Sequence, residues 1–347
     1  MSKILKIPNP YKKLGNGSFG CIISPNIKCK NEIFLSEKTS DSRNKVGKLF
    51  YFHEDFTREL NMGKMISKIE DAEKYFILPI SYCENITINN TIMEQCKVIE
   101  TKSVREFTSK EKELFEKNRN DTEVDQITML YAGIDTEQYI STLPDYKIPL
   151  LVWVKLLENV FNGVSKLDTQ NICHCDIKHD NIMYMDNTLK LIDFGLSTQY
   201  DQLYPIDGYG YRVIWPIEFY LYDIIGESAF NYNYTSHANK KIQLYNTELC
   251  RFTSSRYKYY HSEEQTYADT PAIAELKREV LIQSANKIDV YSIGITCIML
   301  HHLISMDDVE HRVQEYKNLI KNMSEFNYTK RICITDALNK CKEIINL

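Results

Sequence analysis

Glycine is scarce in this chain, at 12 of 347 residues. Tryptophan is scarcer, with 2 against 24 tyrosines. Neither sign of charge dominates: 42 Lys and Arg face 47 Asp and Glu, and the net charge of -5 argues against a nucleic-acid coat. Long apolar runs are missing too. The longest, from Ile293 to Ile304, is interrupted by two histidines and is too short to span a bilayer. The opening MSKILKIPNPYKK has no apolar stretch of the secretory kind, so no signal peptide is expected. Without an export signal, the ten cysteines are expected to be reduced thiols rather than a disulfide framework. The chain does have material for a core, with 43% apolar and 26% charged residues, and global disorder is excluded. Its length suits two or three domains, or one large two-lobed unit.

Three of the few glycines fall together in Leu14-Gly15-Asn16-Gly17-Ser18-Phe19-Gly20. The flanks, Tyr11 to Leu14 and Cys21 to Ser24, read as two strands. Residues 46–52 read as a strand, and 55–69 carry Phe56, Leu60, Met62, Met65, Ile66 and Ile69 at helical spacing. Residues 75–82, 91–99 and 127–131 read as further strands, while 101–126 is a polar, charged insertion. A long amphipathic helix follows, marked by Leu150, Val154, Leu157, Phe161 and Val164. Strands early and helices late predict two lobes of different class, an α+β fold.

The glycine cluster alone is a weak signal. Glycines let backbone N–H groups approach phosphate oxygens, but a plain hairpin turn reads the same way. A dinucleotide site needs a helix directly after the glycines. Two flanking strands point instead to a hairpin lid over phosphates.

The segment from His174 to Asn181 says more. Asp176, Lys178 and Asn181 put a carboxylate, an ammonium and an amide in one short loop. Phosphoryl transfer needs a carboxylate to orient the attacking hydroxyl and accept its proton, a cation for the transferring phosphate, and an oxygen donor for a metal ion. Seventeen positions after Asp176 comes Asp193-Phe194-Gly195 at the end of an apolar stretch, where a carboxylate completes such a metal site. Cys173 and Cys175 flank His174, and a Cys-His-Cys metal reading rests on ligand type alone, with no second pair at metal-like spacing nearby.

From about Tyr11 to about Leu338 the chain resembles the eukaryotic-type protein kinases. The motifs stand in that family's order: glycine-rich loop, strand lysine, helix glutamate, catalytic loop, D-F-G, Trp215-Pro216-Ile217-Glu218 in place of A-P-E, and Asp289-x-x-Ser292-x-Gly294. The resemblance implies a bilobal protein-kinase fold, with an N-terminal ATP-binding lobe over 1–132 and a C-terminal catalytic lobe over 133–347 that carries an insertion at about 223–285. It implies ATP and Mg²⁺ as cofactors and protein substrates as partners, with no direct nucleic-acid binding and no membrane span. By position, Gly15, Gly17 and Gly20 form the loop over the phosphates, with Phe19 at its tip, and Ile22 lies beneath the adenine. Lys48 reaches the phosphates and Glu59 is its helix partner, with Glu54 as the rival. Val46 shares a strand face with Lys48. Backbone groups at Leu130, Tyr131 and Ala132, after Met129, meet the adenine, and Asp135 reaches the ribose. Asp176 and Lys178 are catalytic, Asn181 and Asp193 bind metal, and His174 and Phe194 are structural.

The chain departs from the family's pattern at several points. Only eleven positions separate Lys48 from Glu59, which is short for the family. Cys175 replaces the arginine that in many kinases pairs with an activation-segment phosphate, and a thiol makes no such bond. The segment is therefore expected to be held by its own packing, with Tyr209, Tyr211 and Trp215 as anchors, and to need no phosphate at Ser197 or Thr198. Glu218 is expected to pair with Arg331. Lys178 resembles the serine/threonine subgroup. The Asn-, Lys-, Ile- and Tyr-rich composition of an AT-rich gene, with the inserts and W-P-x-E, resembles the kinases of large DNA viruses, which implies host cytoplasm or the virion. The rival readings are a pseudokinase binding module and a small-molecule phosphotransferase of the antibiotic- or choline-kinase type. Lys48, Asp176, Asn181 and Asp193 argue against the first, and D-F-G with the later motifs against the second.

Overall fold

The computed structural model describes residues 11–16, 20–35, 44–88, 92, 96, 123–203, 214–216, 219, 278–325 and 328–347. The chain divides into two compact units. One comprises Met1–Glu73 with Ile77–Tyr131, the other Lys74–Phe76 with Ala132–Leu347. The α+β expectation holds, with an antiparallel sheet and one main helix in the first unit and a mainly helical second unit.

The first unit is a six-stranded antiparallel sheet. Its strands are β1 (Lys12–Asn16), β2 (Cys21–Ser24), β3 (Ile33–Phe34), β4 (Lys45–Phe50), β5 (Ser81–Thr87) and β6 (Glu123–Leu130), in the order β1-β2-β4-β6-β5-β3. Directly paired residues on neighbouring strands share a face. One face therefore carries the row Ile22, Lys48, Ile127 and Tyr82, and the other the row Cys21, Leu49, Gln126 and Cys83. Helix α1 (His53–Ile66) covers the Lys48 face, where Phe56 meets Phe50 and Tyr82 with ring centroids 5.8 and 6.0 Å apart. Its first-turn Glu54 and Asp55 complement the helix dipole in place of a side-chain cap. The opposite face is a second core of Cys21, Ile23, Ile27, Leu49, Ile88, Ile92, Cys96 and Val124.

That second core corrects three expectations. The cysteines of this unit are not free thiols: Cys21 is bonded to Cys96 and Cys29 to Cys83. Partners 75 and 54 positions apart meet because register turns Cys21 and Cys83 to the same face, a proximity that no spacing reveals. Of the residues 91–99 read as a strand, Ile92 and Cys96 are described, and both are helical. Ile88, Ile92 and Cys96 recur every four positions, a helical period, and all are buried. The polar insertion ends earlier than position 126, because Glu123 already begins β6. Asp125 and Gln126 look like solvated residues but are buried with partners. Asp125 accepts from Asn85 N at 3.0 Å and lies 2.9 Å from His53 Nδ1, while Gln126 bonds both backbone groups of Ile27.

The strand expected over 75–82 begins only at Ser81. Ala72–Tyr75 is a short helix, α2, and Pro79, which has no N–H for a ladder, packs against Gly63 of α1.

The second unit starts with β7 (Ile134–Asp135), α3 (Thr136–Ser141) and β8 (Ile148–Pro149). The long helix α4 (Leu150–Asp168) buries Trp153, Val154, Leu157, Phe161 and Val164. Then come β9 (Ile172–Cys173), the hairpin β10 (Ile182–Met185) and β11 (Thr188–Leu191), and β12 (Thr198–Gln199). Helix α5 (Arg278–Met299), β13 (Ile304–Ser305), α6 (Glu310–Met323) and α7 (Ile334–Asn346) complete it. The insertion read over 223–285 thus ends in helix from Arg278 on. Among the described residues no helix is long and apolar enough to cross a membrane.

Candidate active site

In the first unit, strand alternation and helix periodicity place one buried ion pair. Val46, Lys48 and Phe50 of β4 point to the α1 side, as do Ile22, paired with Lys48, and Met129, paired with Val46. Glu59 lies on the buried stripe of α1 with Phe56, Gly63 and Ile66. A carboxylate there is costly unless paired. Lys48 Nζ sits 2.6 Å from Glu59 Oε2, and the two side chains are 3% and 5% exposed. Glu54 is exposed, so the helix partner is Glu59. The short spacing has a simple cause: only Tyr51 and Phe52 separate β4 from α1. Arg58, beside Glu59, is paired with Asp55.

Gly20 is required by close approach, since a Cβ there would lie 2.3 Å from the Leu49 carbonyl oxygen. Gly15 lies in β1, paired with Ile22. Gly17 and Phe19 lie outside the described residues. The Tyr131 amide, read as meeting adenine, donates to the Asn44 carbonyl at 2.8 Å. Asp135 caps α3, its Oδ1 accepting from Gln138 N at 2.8 Å.

In the second unit a hairpin brings the two expected metal ligands together. Asp186 and Asn187 both have positive φ, the requirement of a tight two-residue turn. That turn fixes the register Met185↔Thr188 through Ile182↔Leu191. Asn181 and Ile192 stand just beyond the last pair, and Ile192 N donates to the Asn181 carbonyl at 3.1 Å. Asp193 follows with φ 64°, a left-handed conformation, and its Oδ1 accepts from Gly195 N at 3.3 Å.

Asp176, Lys178 and Asn181 converge as the loop spacing implies. Asn181 Nδ2 donates to Asp176 Oδ2 at 2.9 Å and to the Asp176 carbonyl at 2.8 Å. Lys178 Nζ lies 3.3 Å from the same Oδ2. His174 is fully buried. Its Nε2 lies 3.1 Å from the Ile192 carbonyl, and its Nδ1 accepts from Asp176 N at 3.3 Å. Its ring meets Phe194, which in turn meets Phe76 edge-on, with centroids 5.0 and 5.7 Å apart.

Asp289 of α5 is the residue whose role sequence reasoning missed. Its carboxylate accepts from His174 N at 2.7 Å and Cys175 N at 3.0 Å, holding the loop that carries Asp176 by its backbone. The signal was present: Asp289 and Ser292 sit one turn apart on one face of α5, and Ser292 Oγ donates to the Ile214 carbonyl at 2.8 Å. Burial pushes the Asp289 carboxyl up, and His174 with these two amides works against that rise. Burial also pushes the Cys173 thiol well up.

Glu218, expected to pair with Arg331, lies outside the described residues, as do Tyr209 and Tyr211. Arg331 is buried. Its Nε donates to the Glu325 carbonyl at 2.7 Å, and its guanidinium lies over the Tyr291 ring at 4.7 Å.

The arrangement in the second unit offers a carboxylate for a proton, an ammonium beside it, and hard oxygen donors just beyond the ends of two paired strands. A family model described as the protein kinase domain matches residues 9–210. The match takes in the glycine cluster, the Lys48–Glu59 pair, the loop around Asp176 and the hairpin that ends at Asp193, more than half of the 347 residues, and the chain belongs to the protein kinase domain family.

Proposed function

We propose that this kinase transfers the γ-phosphoryl group of Mg²⁺-bound ATP to serine and threonine hydroxyls of protein substrates. The observation that carries the reading is the convergence of Lys178 and Asn181 on one oxygen of Asp176. A carboxylate held in that way keeps one fixed direction, which is what orienting a hydroxyl and taking its proton require. The Lys178 ammonium beside it neutralises charge gathering on the transferring group. Lys48, directed by Glu59, binds phosphate oxygens, and Ile22, Val46 and Met129 supply apolar surface for a base on the same sheet face.

Asn181 and Asp193 would hold the metal. Their amide and carboxylate oxygens suit a hard cation such as Mg²⁺, which when bound neutralises phosphate charge. Serine/threonine preference rests on Lys178 standing two positions after Asp176. Composition and inserts support a large-DNA-virus source, with host cytoplasm or the virion as the place of action. The two disulfides persist more readily in the oxidising setting of a particle than under cytosolic thiols.

The test is incubation of the purified chain with labelled ATP, Mg²⁺ and generic basic and acidic proteins, followed by phosphoamino-acid analysis. Label on serine and threonine is expected. Label on tyrosine alone would move the substrate class, and label confined to small molecules would favour the antibiotic- or choline-kinase type.

A further inference from the structure

We propose that Trp215 is a positioning residue for Asp176, acting through one hydrogen bond from its indole N–H to the carbonyl of Cys175. The proposal rests on Asp176 being the group that receives the substrate hydroxyl's proton.

Cys175 is a non-glycine residue at φ 62°, a left-handed conformation that persists only where the surroundings impose it. Hydrogen bonds impose it here. The Cys175 N–H donates to Asp289 Oδ1 at 3.0 Å, and the next N–H, that of Asp176, donates to His174 Nδ1 at 3.3 Å. Between them lies the Cys175 carbonyl, which accepts from Trp215 Nε1 at 2.6 Å. The Cys175–Asp176 peptide is thus held at its oxygen as well as its nitrogen. Turning that peptide plane would swing the Asp176 side chain away from Lys178 and Asn181.

The indole is itself fixed. Trp215 is buried and stacks on Phe219 with centroids 5.3 Å apart. The carbonyl just before it, on Ile214, accepts from Ser292 of α5. One helix therefore holds the catalytic loop twice, directly through Asp289 and indirectly through Ser292, Ile214 and Trp215. An indole has a single donor, and Phe at this position would keep the packing while losing it. No charged side chain takes part in this link, and Ser197, an acceptor expected in the segment, is buried with its hydroxyl donating to the His174 carbonyl at 3.1 Å. The end of the segment is tied to the loop without phosphate.

The decisive experiment places β-(3-benzothienyl)alanine at position 215, an indole isostere with sulfur in place of N–H, alongside Trp215→Phe. Expected is a fall in kcat of roughly ten- to a hundredfold, with ATP affinity and Tm close to wild type. Phosphatase treatment of the wild-type chain should leave kcat unchanged. The proposal is overturned by an isostere with wild-type kcat, by equal losses of kcat, ATP affinity and Tm, or by a loss on phosphatase treatment that autophosphorylation at Ser197 or Thr198 restores. A wild-type chain with no transfer at all would instead reject the activity reading. In that case hydrogen exchange at the Trp215 indole decides the link: slow exchange supports it, and exchange at the rate of free indole overturns it.

Discussion

In the first unit Lys48 stands on a regular strand and is held by a carboxylate from a regular helix. In the second, the residue before Asp176 and Asp193 itself are in left-handed conformations, the first held by Asp289 of α5 and the second set between the Ile192–Asn181 backbone bond and the Gly195 amide. Cysteine divides along the same line. The first unit's four described cysteines are paired as disulfides, whereas Cys173, Cys175, Cys297 and Cys341 of the second are buried free thiols. A cation on a regular element needs one partner. A carboxylate on an irregular loop needs its peptide planes fixed one at a time, and the donors and acceptors for that come from far along the chain.

Four experiments press on this contrast. The largest effect should follow Asp176→Asn in the second unit. An amide does not take up the hydroxyl proton, and the expected loss in kcat is about three orders of magnitude. Thermal-shift titration should show ATP binding retained, and near-normal turnover would point to another base. In the first unit, Glu59→Gln leaves the Lys48 ammonium buried without its counter-charge. The expected cost is roughly 3–5 kcal/mol, read from chemical denaturation, and an unchanged midpoint would mean that the pair contributes little to the fold.

Opening the disulfides with a dithiol should destabilise the first unit. Closing loops of this length is worth roughly 4 kcal/mol each in the chain-entropy account. Hydrogen exchange before and after reduction should show the loss in β2, β4 and β5 and leave α4 and α5 protected. Protection lost equally in both units would erase the contrast. The smallest effect concerns the free thiols. Burial pushes Cys297 and Cys341 up to about 12 from an ordinary 9.0. Above pH 9.0 the unfolded chain ionises first, so stability falls as pH rises, by about 1.4 kcal/mol per pH unit for each thiol. Urea midpoints between pH 9 and 10 should drop, and the Cys297→Ala, Cys341→Ala double variant should drop less steeply.

Much of the first unit's site was legible because regular elements leave a periodic trace. Alternation put Val46 and Lys48 on one face, and helical spacing marked the stripe of Phe56 and Ile66, while Glu59 was named by resemblance and its burial on that stripe came only with the structure. The same rules misread Ile92 and Cys96, which are helical where a strand was expected, and 123–126, whose polar residues are buried with partners. In the second unit the loop from His174 to Asn181 was legible only as a set of residue types at fixed spacing. Its geometry has no period to read.

The sequence by itself determined which groups are present and in what order: the glycine cluster, Lys48, Asp176, Lys178, Asn181, Asp193, and the thiol where an arginine is usual. Only tertiary structure decided what holds them. Sheet register brought Cys21 and Cys83 to one face and so to Cys96 and Cys29. Helix α5 carried Asp289 to the backbone of a loop more than a hundred positions earlier, and Trp215 found the carbonyl of Cys175 across 40. Backbone donors and acceptors are the same at every residue, so their partners leave no mark in the sequence, and burial forces them to be found.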